Sequence, residues 1–138
     1  MGFAILTGCA STSNEQSASN DARVCAQNFT QSGSLLTGKQ YKTFEIIENA
    51  KQKSTFEKIT RHITADGWHI TNSDSQLGLL SASQTISFGE GKTAPLNITV
   101  EQINSDVKTA ITFTTSAGVY SPATAVMNSF CEIIEAAK

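Results

Sequence analysis

The chain is poor in charge. It carries 10 basic and 12 acidic side chains in 138 residues, a formal net of −2, and no basic stripe runs along it. That excludes the electrostatic footprint of a nucleic-acid-binding surface. It has two histidines, His62 and His69, and two isolated imidazoles lack the third protein ligand of a zinc site. No C-x-x-C pair occurs, which removes the usual redox and zinc-ribbon signatures. Serine is abundant, yet no G-x-S-x-G elbow presents one as a nucleophile. The only acidic pair singled out by helical spacing, Glu132 and Glu135, falls on a solvated helix flank. Gly-Glu-Gly-Lys-Thr at 89–93 lacks the first glycine of a phosphate loop, whose place Ile86 takes. Ala94-Pro95 and a strand follow it instead of a helix, so it reads as a hairpin tip. With no acid–base or nucleophile constellation, the sequence predicts a protein that is not an enzyme and uses no cofactor or metal.

The apolar start, Met1 to Gly8, is also too short to span a bilayer, which takes about 20 residues. Its small-residue ending reads as the tail of a secretory signal. Leu6-Thr7-Gly8-Cys9 resembles the bacterial lipobox. The resemblance implies cleavage before Cys9, a diacylglycerol thioether on Cys9, and stable anchoring through two or more acyl chains. Ala10 after the cysteine resembles an outer-membrane address. Residues 10–23 are Ser, Thr, Asn and Ala with almost no bulk, a composition that cannot bury a core. Residues 24–38 are ambiguous: Val24, Cys25, Phe29, Leu35 and Leu36 suit docking, whereas Gln-Ser-Gly-Ser and Thr-Gly-Lys interrupt any regular element. The expected organisation is a signal remnant at 1–8, a lipidated cysteine and tether at 9–38, and one domain at 39–138.

Three cysteines are present. With Cys9 lipidated, Cys25 and Cys131 remain, an even number suited to an oxidising compartment. A bridge between them would tie the front of the domain to its last helix. The alternative is two separate buried thiols.

Periodicity supplies the elements. Gln40–Ile47 is rich in aromatic and β-branched residues and reads as a strand. Ser54-Thr55-Phe56-Glu57 reads as a capping box, opening a helix whose stripe is Phe56, Ile59 and Ile63 and which stops at Asp66-Gly67. Strands are expected at 68–73, 79–88, 96–103 and 107–115. Leu80, Ala82, Ile86 and Phe88 share one face of the second, Leu96, Ile98 and Val100 one face of the third, and Val107, Ile111 and Phe113 one face of the fourth. Ser121-Pro122 reads as the start of a last helix with Val126, Met127, Phe130, Ile133, Ile134 and Ala137 as its stripe. Trp68 is expected to cover the core edge.

The predicted class is α+β, in the order β-α-β-β-β-β-α, an antiparallel sheet with two helices packed on one face. The opposite face should carry Thr71, Ser81, Ser83, Thr85, Thr99, Glu101, Thr112 and Thr114, and is either solvated or used to contact a partner.

This order, with a helix followed by Asp-Gly-Trp-x-Ile and then Asp-x-x-x-Gly-x-Leu-x-Ala, resembles BamC-like helix-grip domains of small periplasmic lipoproteins over roughly residues 40–137. Together with the lipobox, the resemblance implies a cell-envelope protein, lipid-anchored, at the outer membrane and facing the periplasm. The expected role is a non-catalytic accessory module that binds a protein partner and no nucleic acid. Two alternatives stand beside it: an inhibitor or immunity lipoprotein, and a small apolar-ligand binder using the space between sheet and long helix.

Overall fold

The structure is a computed structural model that describes residues 21–85 and 93–138. Cys9, the stretches expected to be a signal remnant (1–8) and a tether (up to residue 20), and the expected hairpin tip, with Ile86 and Phe88, lie outside the described residues. The described elements are α1 (Val24–Gln27), β1 (Thr30–Ser34), β2 (Gly38–Ile47), α2 (Gln52–Ala65), β3 (His69–Asp74), β4 (Leu79–Thr85), β5 (Thr93–Ile103), β6 (Asp106–Thr114) and α3 (Ala123–Ala137).

All strands join one antiparallel sheet in the order β1-β2-β6-β5-β4-β3. The four strands β3 to β6 form the expected meander. The Asn104-Ser105 turn between β5 and β6 places Asn104 at φ 57°, a left-handed conformation that Asn tolerates better than most residues. The α2–α3 pair closes the core over one sheet face. Ile59, Ile63, Phe130, Ile133 and Ile134 bury their stripes against Leu80, Leu96, Ile98, Val100, Val107 and Ile111. The α+β class and the element order therefore hold, with two additions ahead of residue 39.

Those additions correct the expected tether boundary at 38. Cys25 and Ala26 of α1 are buried, and Phe29 packs on Tyr41 and Phe130 at centroid distances of 6.1 and 5.8 Å. β1 pairs with β2 through a tight turn, Thr30 opposite Lys42 and Ser34 opposite Gly38. Gly33 stands at φ 89°, where an added Cβ would collide with the Gly38 carbonyl. The polar, glycine-bearing stretch that obscured this strand is what lets it turn so closely. β1 is exposed along its length, so it carries no hydrophobic alternation to read.

Two helix starts also move. α2 begins at Gln52 after Lys51, so Ser54 lies inside its first turn and its hydroxyl donates to the Lys51 carbonyl at 3.3 Å. The Ser54–Glu57 capping box does not form, because the first turn is capped from β5: the Gln52 amide donates to Gln102 Oε1 at 2.7 Å. α3 begins at Ala123, with Pro122 in the capping position at ψ 131°, one residue later than expected. Gly67, at φ 95°, ends α2 as anticipated.

Candidate functional site

Strand β2 decides what the uncovered sheet face looks like. Its inward set is Tyr41, Thr43, Glu45 and Ile47, all buried, and its outward set includes Lys42, Phe44 and Ile46. Two polar side chains thus point into the helix layer. Each has a partner there. Thr43 Oγ1 donates to the Cys25 carbonyl of α1, and Glu45 accepts from Lys138 Nζ at 2.9 Å. That hydrogen bond, together with the Glu45 charge, raises the Lys138 amine above its ordinary value. Phe44 and Ile46 are left outside, 39% and 41% exposed.

The register lines these outward residues up in rows. One row runs Phe44, Ala110, Thr99, Leu79 from β2 across β6 and β5 to β4. The next runs Ile46, Lys108, Glu101. A third runs Lys42, Thr112, Asn97, Ser81 and Asn72, with the Ser81 hydroxyl donating to Asn97 Oδ1 at 2.7 Å. Lys108 Nζ sits 5.0 Å from the Phe44 ring centroid, a cation–π arrangement that keeps the lysine over the apolar row.

Ser81, Ser83, Thr99, Glu101, Thr112 and Thr114 are placed on the exposed strands of this face or half-buried within it. Thr71 is exposed as well. The pairing of β3 with β4 shifts register between Ile70 and Asn72, so two residues of β3, Thr71 and Asn72, stand against Ser81 as at a β-bulge. Thr85 pairs with Thr93 in the ladder. The expectation of a small, polar face missed the half-exposed Phe44, Ile46 and Leu79. The available signal was in β2: if Tyr41 points inward, Phe44 and Ile46 point out.

On the other side, the sulfurs of Cys25 and Cys131 lie at disulfide distance, with Cα atoms 5.6 Å apart, inside the range a bridge requires. Arg23 extends the same attachment, donating to Asn128 Oδ1 of α3 at 2.7 Å and to Asp21 Oδ1 at 2.9 Å. The Arg23 side chain holds the Asp21 carboxyl down at about 2.

Trp68 covers the core edge, its ring edge-on to Phe113 at 5.9 Å. Beside it a cavity of about 160 Å³ opens between α3 and the sheet, walled by Trp68, Leu96, Phe113, Val126, Phe130 and Ile133. Small-molecule pockets usually hold about 300–1,000 Å³, and a space near 150 Å³ takes a guest the size of benzene. A second hollow, about 450 Å³, is polar and includes Glu45, Lys58 and Lys138. Within it Lys58 Nζ donates to the Lys138 backbone carbonyl at 2.9 Å, beside the Glu45–Lys138 pair, and Glu48 and Lys51 also line it. Among the described residues no group of three or more His, Cys, Asp or Glu converges as a metal site, and no helix is long and apolar enough to cross a membrane. The extended feature with both apolar and charged groups presented outward is the open sheet face.

No family model matches the chain, and no curated protein matches it significantly. Among solved structures, EF2215, a conserved protein of unknown function from Enterococcus faecalis, is similar with a TM-score of 0.52 and 9% sequence identity, covering 83% of this chain and 77% of that one. Ara h 8.0201 aligns with a TM-score of 0.38 and 10% identity over 71% of this chain and 95% of that one. The first likeness supports the α+β fold and, at that identity, nothing further.

Proposed function

We propose that this protein is a lipid-anchored, non-catalytic module of the bacterial cell envelope that docks a protein partner on the open face of its sheet. Cys9 holds the anchor, residues 10–20 give reach, and the disulfide-tied domain presents the face. The observation that carries the reading is the row Phe44, Ala110, Thr99, Leu79, in which half-exposed apolar side chains are set among Lys42, Lys108 and Glu101. An apolar centre with a charged surround is how contact patches are built. The pairing of Cys25 with Cys131 fits an oxidising compartment, as the periplasm is.

The test is a photo-crosslinking residue placed at Thr99, central on the face, and at Lys53, exposed on α2, in protein expressed in its native envelope. Discrete adducts from position 99 and none from position 53 are expected. Equal labelling from both positions, or none from 99, defeats the reading.

A further inference from the structure

The same face is self-complementary, and we infer that its partner is a second copy of this chain. The inference rests on the reading of this face as a contact surface and adds the identity of what it contacts. Charge is unevenly divided across the strands. Lys42 and Lys108 lie on the β2–β6 half, with Asp106 at the far end of β6, and Glu101 and Asp74 lie on the β5–β3 half, so the opposite charges that an axis can bring together are Lys108 and Glu101. A two-fold axis along the strand direction, between β5 and β6, exchanges the two halves. Phe44 then meets Leu79 of the second copy, Ala110 meets Thr99, and Lys108 meets Glu101, each contact occurring twice as an isologous interface demands. An axis across the strands would set like charge on like and is disfavoured. Sheets stack face to face about 10 Å apart with their strands within about 30° of parallel, which this arrangement permits. The face is about 20 Å on a side, so two copies bury about 800 Å² in total, below the standard size of a specific interface; the dimer is therefore weak and reversible, and sharing one membrane would favour it by raising local concentration.

The test is sedimentation velocity on the full chain carrying Cys9→Ser, from about 5 μM to about 1 mM. A concentration-dependent dimer is expected. Lys108→Glu and Glu101→Lys, each alone, should weaken it at least about tenfold by placing like charges together twice. A one-to-one mixture of those two variants should restore association, because both contacts in the mixed pair are again opposite in sign. Lys53→Glu, the same charge change on α2, should leave it unaltered. A monomer throughout the range, or a loss with Lys53→Glu equal to that with Lys108→Glu, overturns the inference. Should the chain be monomeric while position 99 crosslinks a different protein, self-association is refuted and the docking face stands. Should position 99 capture nothing as well, both fall.

Discussion

Gln102 caps helix α2 from another element. Its side-chain oxygen accepts from the Gln52 amide, and its nitrogen, with two hydrogens to give, lies 2.9–3.0 Å from the carbonyls of Ala50, Asn104 and Asp106, which share them. One side chain thereby satisfies a first-turn amide of α2 and organises the β5–β6 turn. Gln102→Ala should destabilise the domain by about 1–2 kcal/mol, the cost of a lost cap, read as a lower urea midpoint with unchanged slope. Tyr41 is fully buried, and its hydroxyl donates to the Ser121 carbonyl at 2.8 Å. Burial, with the nearby Tyr120, pushes its pKa up from 10.0. The native state thus favours the protonated phenol, while the unfolded chain releases that proton near its ordinary value. The resulting stability is complete below about pH 10 and is lost as pH rises from there through the native value. Urea midpoints should fall above pH 10 in the wild type and fall less steeply in Tyr41→Phe. Lys138, whose pKa is also raised, contributes in the same alkaline window, so the comparison of the two proteins isolates the tyrosine.

At the scale of elements, α1 is the informative case. It is four residues long and too short to be stable alone. What holds it is tertiary: buried Cys25 and Ala26, the Thr43 hydroxyl on the Cys25 carbonyl, and the bond to Cys131 of α3. The bridge closes 106 residues of sequence, for which the chain-entropy model gives about 4–5 kcal/mol. Replacing both Cys25 and Cys131 with Ser should lower stability by that order, measured by denaturant titration. Amides of α1 and β1 should lose hydrogen-exchange protection first, since the β5–β6 pairing does not depend on them. The helices α2 and α3 were legible because each carries one apolar stripe at helical spacing, with Phe56, Ile59 and Ile63 in one and Val126 to Ala137 in the other. α1 and β1 were not, because neither carries a periodic signal of its own.

At the scale of the whole molecule, the core of the described residues runs from Cys25 to Ala137, and the proposed anchor at Cys9 lies ahead of it in sequence. Cys9→Ser should therefore leave the urea midpoint unchanged and move the protein from the membrane fraction to the soluble periplasmic fraction. Unaltered membrane association in that variant contradicts lipidation at Cys9. The domain has a helix-covered face and an open one, and among the described residues a cavity of about 160 Å³ opens between α3 and the sheet.

The sequence by itself determined the meander, the two long helices and the face they cover, because in β5, β6, α2 and α3 apolar side chains recur at the period of the element and burial of that set has one solution. It also singled out Cys25 and Cys131, by elimination of Cys9. Only the tertiary structure decided the orientation of β2 and the composition of the open face. In Tyr-Lys-Thr-Phe-Glu-Ile-Ile the inward positions include Thr43 and Glu45 and the outward ones Phe44 and Ile46, the reverse of what hydropathy favours. The exchange holds because partners distant in sequence, the Cys25 carbonyl and the Lys138 amine, satisfy the two buried polar groups, and a polar group enters a core at tolerable cost only when such a partner is already there.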